Sequence, residues 1–233
     1  MTMRSLRIAA FVALLATAVA LVPSARAALV GIYRNGMESK GQLAQVTKLS
    51  GKRCARGATD HAFLITIGKQ TRECAYRTPV FGRDLEIAAT ERLLDKTPKS
   101  VQQAAFLAVE LRSGSGARYQ LAVYPVQRKA QLRKITEEGS IEYLHIEKDV
   151  AGIGAVDRAN QLRLRAFNVT EGPEKGSCRI LAFVGGELVA DVVDVAAGEL
   201  SGRASGFSVG SPRTAKGAQA SVDDVVVRVP SPF

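Results

Sequence analysis

Through most of this chain, side-chain polarity alternates with a period of two in short runs, and Gly, Pro, Ser, Asn or Asp separates one run from the next. Successive side chains of a β-strand project to opposite faces, so this period belongs to strands with one apolar and one wettable side. Helices need apolar residues three and four apart, and that spacing is nearly absent. In residues 84–89, Leu85, Ile87 and Ala89 oppose Asp84, Glu86 and Ala88. In 105–112, Leu107, Val109 and Leu111 oppose Phe106, Ala108, Glu110 and Arg112. Tyr119, Leu121 and Val123 oppose Gln120 and Tyr124, and Leu162, Leu164 and Ala166 oppose Arg163, Arg165 and Phe167. The β-branched run from Phe63 to Ile67 fits the interior of a sheet. Residues 180–195 read as a hairpin about Gly185-Gly186, because Gly-Gly supplies the positive dihedrals of a tight turn. Two last strands are expected over 203–209 and 221–229, and Pro98 predicts a turn of helix within 97–104. About eleven to thirteen strands at near-regular spacing imply an all-β sandwich or barrel.

The first residues follow a different rule. Arg4 and Arg7 precede an uncharged apolar run over 8–22, then Pro23 and the small-residue pattern Ala25-Arg26-Ala27. That order predicts a signal peptide over 1–27, cut after Ala27. The run is shorter than the roughly 18 residues a membrane-spanning helix needs. The expected mature chain, 28–233, is one β-domain and is secreted or associated with the cell envelope. Without Arg4, Arg7 and Arg26 it carries 29 basic against 22 acidic side chains, a net charge of +7. Such a surface attracts anionic wall polymers, acidic polysaccharide or membrane surfaces at long range. Its basic residues are scattered and no nucleic-acid-binding motif is present, so nucleic acid is excluded as a partner. No later stretch is apolar enough to span a bilayer. In an oxidising compartment Cys54 and Cys74 are the expected disulfide, which leaves Cys178 over, as a buried small hydrophobe at a strand start or, alternatively, as an intermolecular bridge or reactive thiol.

The landmarks of the second half come in a specific order: Asn160-Gln161-Leu162-Arg163-Leu164, Phe183-Val184-Gly185-Gly186-Glu187-Leu188-Val189, Asp194, Gly202, Gly206-Phe207, and Asp223-Asp224-Val225-Val226-Val227. This order resembles the second half of concanavalin A-like and laminin G-like domains, and the likeness extends over roughly 84–229. The resemblance implies a two-sheet antiparallel jelly-roll sandwich. In this chain Gly185 stands where the family's hairpin has Asn, and Val222 where it has a large aromatic residue. Lectins, glucanases and adhesion modules share the fold, so it does not by itself select a chemistry.

Four groups of candidate residues follow. The glucanases similar to this fold carry alternating carboxylates on one strand, for which Asp84-Leu85-Glu86 with Glu91 is the nearest, incomplete match. Glu86 and Glu110 are the candidate catalytic carboxylates. The sandwich is also similar to 3-keto-disaccharide hydrolase-like domains, which place polar residues on the concave sheet; by alternation, Glu86, Glu110, Arg112, Gln120, Tyr124, Arg163 and Arg165 are expected to line such a face, able to hydrogen-bond sugar hydroxyls. Asp223 and Asp224 are the candidate calcium ligands, with Asp191 and Asp194 as helpers. His61 and His145 stand alone and read as ordinary side chains. The expectation drawn from all this is a non-catalytic sandwich that binds carbohydrate or another envelope component. A glycoside hydrolase-like enzyme and a protein-binding adhesion module are the alternatives.

Overall fold

The computed structural model of the protein describes residues 29–37, 39–59, 62–200, 202–212 and 217–230. The segment read as a signal peptide, and His61, lie outside the described residues. Among the described residues, fifteen strands form two sheets in which every pairing is antiparallel. They are β1 (Leu29–Asn35), β2 (Thr47–Ser50), β3 (Cys54–Thr59), β4 (Ala62–Ile67), β5 (Glu73–Phe81), β6 (Leu85–Leu93), β7 (Phe106–Gly114), β8 (Ala117–Tyr124), β9 (Lys129–Ile135), β10 (Ile141–Glu147), β11 (Asn160–Asn168), β12 (Cys178–Val184), β13 (Glu187–Asp194), β14 (Ala204–Gly210) and β15 (Gln219–Pro230). The first sheet runs β13-β12-β11-β6-β15-β4-β3, with β1 also paired to β15; the second runs β10-β9-β8-β7-β14-β5-β2. The last two strands thus insert into the middle of a sheet each, which interlocks the chain ends as a jelly roll does. Helix is confined to short pieces, including α2 (Lys99–Gln102) directly after Pro98. Among the described residues no helix is long and apolar enough to cross a membrane.

The apolar half of each alternating run fills the space between the sheets. Leu85, Ile87, Leu162 and Leu164 of the first sheet meet Leu107, Val109, Leu111, Tyr119 and Leu121 of the second, all of them buried. Phe63 packs edge-on to Tyr76 and Phe207, with ring centroids 4.8 and 5.7 Å away, and so joins the layers at their centre. The Cys54–Cys74 disulfide ties β3, at an edge of the first sheet, to β5 of the second, with Cα atoms 5.8 Å apart. Cys178 is a free, fully buried thiol at the start of β12, and burial pushes its pKa up to about 11. Gly185 and Gly186 turn the β12–β13 hairpin with φ of 59° and 90°, the two positive values of a type I′ turn.

Strand alternation breaks at bulges, and three of these decide where candidate residues point. In β7 the register shifts between Leu111 and Gly114, with Arg112 at φ 53°. In β15 it shifts between Asp223 and Val226, with Asp224 at φ 48°. The β15 bulge coincides with a change of neighbour on one flank of the strand, from β4 along its first half to β1 along its second. The third bulge lies in β10, between Tyr143 and His145.

Candidate functional site

The seven residues expected on one face are divided among three places. Glu86, Arg163 and Arg165 lie on the outer face of the first sheet, where Glu86 accepts from Arg228 at 2.8 Å and the guanidinium groups of Arg163 and Arg165 lie 3.9 and 5.0 Å from the ring centres of Phe183 and Phe167. Glu110, Gln120 and Tyr124 lie on the outer face of the second sheet. Arg112 belongs to neither. Its bulge turns the side chain to the end of the sandwich, where it donates to the Arg83 carbonyl at 3.2 Å and to Asn168 Oδ1 at 2.8 Å. Alternation names a face only within one sheet and only up to the next bulge, and the expected grouping ignored both conditions.

This also separates the candidate catalytic pair. Glu86 and Glu110 sit on opposite outer faces, with two sheets packed about 10 Å apart between them. Paired carboxylates flanking one glycosidic bond are at most about 9.5 Å apart, so these two cannot act on the same bond. Glu91 points between the sheets, fully buried, and accepts from the Ala108 amide at 3.1 Å. Burial in the core holds its pKa well above the carboxylate range.

The calcium candidates are likewise dispersed. Asp224 lies 4.0 Å from Arg34, Asp191 is gripped by Arg179 through bonds of 2.8 and 2.6 Å, and Asp194 is turned inward. Its Oδ2 accepts from the Tyr119 hydroxyl at 2.6 Å and meets the Lys134 ammonium at 3.1 Å. Among the described residues no cluster of three or more His, Cys, Asp or Glu is placed to hold a metal ion.

The outer face of the second sheet is built differently from that of the first. Its middle is made of small residues, namely Ala75, Ala108, Ala122, Gly206, Ser208 and Gly210, which are cross-strand neighbours on β5, β14, β7 and β8. Longer side chains from the flanking rows lean over this trough, so that Glu110 and Gln120 are fully buried although they point away from the core. Gly210 is where this matters most: a Cβ there would lie 2.0 Å from the Phe106 ring, which rests on the glycine backbone.

Five side chains from four strands form one network on this face. Arg118 donates to Glu73 Oε2 at 2.6 Å and to Glu110 Oε1 at 3.1 Å. Gln120 Nε2 lies 2.6 Å from Glu73 Oε1, 2.7 Å from Glu110 Oε1 and 3.0 Å from the Ser208 hydroxyl. Burial raises the Glu110 pKa, with Arg118 opposing it and Glu73 adding to it. Beside the network runs a cleft of about 340 Å³, lined by Arg72, Glu73, Phe106, Gln120, Arg133, Ile135, Ile141, Ser211 and Pro212. Arg133 is only 4 % exposed; its guanidinium lies 4.6 Å from the Phe106 ring centre and donates to the Tyr124 hydroxyl at 3.4 Å. Three buried polar atoms of the cleft lining meet no partner, Arg133 Nε and Nη2 and Gln120 Oε1; on the same face Glu110 Oε2, Gln131 Oε1 and Arg77 Nε are also unmet. A second cleft of about 380 Å³ lies beside the disulfide, but its arginine, Arg56, is already bound to the Val46 carbonyl at 3.0 Å.

Sequence reasoning named Glu110, Gln120 and Tyr124 but not Glu73, Phe106, Arg118, Ser208 or Arg133. A signal for Arg133 does exist, since Lys129, Gln131, Arg133 and Ile135 alternate with Ala130 and Leu132. It is blurred by Lys134, a charged residue on the inward face.

Several solved structures share this fold. The chain is similar to a carbohydrate-binding module, CBM66, from Bacillus subtilis, with a TM-score of 0.57 at 16% identity over 78% of this chain and 93% of that one. It is similar to a Bacillus subtilis protein of unknown function with a galectin-like fold, with a TM-score of 0.60 at 12% identity over 87% and 98%. An endo-1,3-β-glucanase from Streptomyces sioyaensis gives a TM-score of 0.58 at 9% identity over 88% and 97%. Likeness at these identities is one of fold, and the fold is the concanavalin A-like jelly roll that the resemblance over 84–229 implied. No protein-family model matches the chain, and no curated protein matches it.

Proposed function

We propose that this protein is a secreted, non-catalytic sandwich that binds carbohydrate in the cleft on the outer face of its second sheet. The observation that carries the reading is the set of buried hydrogen-bonding atoms left unmet at that cleft. A buried polar atom without a partner costs about 1–3 kcal/mol, and a ligand rich in hydroxyl groups relieves it. Gln120 Oε1 accepts from a hydroxyl, the Arg133 donors reach hydroxyl or carboxyl oxygens, and the exposed Ile141 offers apolar surface to the C–H face of a sugar ring. The disulfide fits an oxidising compartment. Sandwiches of this fold include a carbohydrate-binding module and a glucanase, which is consistent with the reading at the level of scaffold.

The hydrolase alternative now concerns Glu73 and Glu110, since both place an oxygen within 2.7 Å of Gln120 Nε2. Glu110 is fully buried and Glu73 is held by Arg118, Gln120 and Ser208, which suits a structural network better than an acid and a nucleophile facing solvent. Calorimetric titration against a polysaccharide panel, with reducing-sugar release followed in parallel, separates the readings. We expect binding without release, loss of binding in Gln120→Ala, and full binding in Arg163→Ala, which lies on the other sheet. Release that disappears in Glu73→Gln would replace this proposal with the enzymatic one.

A further inference from the structure

We infer that the carbohydrate held in this cleft is acidic, and that a uronate carboxylate of the ligand seats on the side-on fork of Arg133. The inference rests on the carbohydrate-binding reading and deepens it. Of the donor edges of a guanidinium, the one formed by Nε and Nη2 carries two parallel N–H bonds at the spacing of the two oxygens of a carboxylate. In Arg133 these are the two nitrogens without a partner, whereas Nη1 is occupied by the Tyr124 hydroxyl. The flat face of the guanidinium is covered by Phe106, and the Nε–Nη2 edge, itself buried at the cleft wall, is the edge left for a ligand's oxygens to satisfy.

Charge points the same way. The two carboxylates of this face, Glu73 and Glu110, already share Arg118, and neither forms an ion pair with Arg133. Arg133 therefore stays a buried cation without a counter-charge among the described residues. A neutral hydroxyl would meet its hydrogen bonds and leave that charge uncompensated, whereas a carboxylate meets both. The same region carries Lys129, whose ammonium lies 4.3 Å from the Tyr124 ring centre, and Arg72 on the cleft wall. The Lys129 pKa is lowered, first by burial and then by Arg133 and Lys148, as expected where positive charge is in excess. Ile135 and Ile141 complete a wall against which the ring of the same sugar can lie.

The test measures binding of the purified protein to polygalacturonate, to its carboxyl-reduced neutral form and to dextran sulfate, at one ionic strength near physiological. We expect polygalacturonate to bind at least about tenfold more tightly than the reduced polymer, and dextran sulfate to compete poorly. Arg133→Lys keeps the charge and removes the fork, and we expect it to lose that preference while its unfolding midpoint stays at the wild-type value. If the reduced polymer binds as well as the acidic one, the uronate assignment is wrong and the carbohydrate reading stands. If dextran sulfate competes equally, the site is a general anion site and the assignment again fails. If no polymer binds, both readings fall together. The two unmodified-protein comparisons decide the matter even if Arg133→Lys does not fold.

Discussion

Glu91 enters the space between the sheets as an acid with a single hydrogen bond, to the Ala108 amide, and with Oε1 unmet. Because its pKa is held up in the folded protein, the native state keeps a proton that the unfolded chain releases near pH 4.5. Below that pH both states are protonated and the residue makes no pH-dependent difference. As the pH rises above it, the unfolded state is increasingly favoured until the native carboxyl ionises as well. Glu91→Gln removes this penalty and retains the acceptor for Ala108. We expect a gain in stability at pH 7 that vanishes near pH 4, read from urea unfolding across that range. A mutant with equal or lower stability at pH 7 would mean that Glu91 is ionised and compensated in the fold. Arg133 has the converse character: it is a buried charge whose compensation waits for a ligand.

The hairpin between β12 and β13 depends on two glycines that look equivalent and are not. Gly185 and Gly186 both have positive φ, but a Cβ on Gly185 would meet the backbone of Gly152 at 2.9 and 3.1 Å, while one on Gly186 meets nothing within 4 Å. Backbone cannot swing aside as a side chain can. We expect Gly185→Ala to cost about 2–3 kcal/mol and Gly186→Ala about 1 kcal/mol, from thermal unfolding of each variant. Equal losses would show that dihedral strain alone sets the cost. The bulges in β7 and β15 act on the same scale, since each reverses the direction of every side chain beyond it. Arg112 leaves the Glu110 face for this reason, and Asp223 and Asp224 sit at a bend in mid-strand.

The sandwich as a whole is joined by its core and by one covalent link between the layers. The Cys54–Cys74 bridge spans 20 residues and ties an edge strand of one sheet to the other sheet. Its removal leaves the edge strand β3 held to the sandwich by its pairing with β4. We expect the double variant Cys54→Ala, Cys74→Ala to lose about 3 kcal/mol in denaturant unfolding, by loop entropy. Wild-type protein in a reducing agent should match the double variant. A loss below about 1 kcal/mol in both would place the stability of that edge in its packing.

Much of this was legible from residue order. Alternation in 84–89, 105–112, 119–124 and 162–167 predicts strands and their apolar sides, because a strand's period is a local property of the backbone. The Gly185-Gly186 turn and the Cys54–Cys74 pairing could be read for similarly local reasons. The grouping of polar residues could not, because it depends on which sheet each strand joins. β6 and β7 follow one another and belong to opposite layers, so Glu86 and Glu110 share a pattern and face away from each other. The trough of small residues that buries Glu110 and Gln120, and the position of Arg133 beside it, arise from β5, β14, β7, β8 and β9 lying side by side. Long-range pairing sets that order, and no short stretch of sequence encodes it.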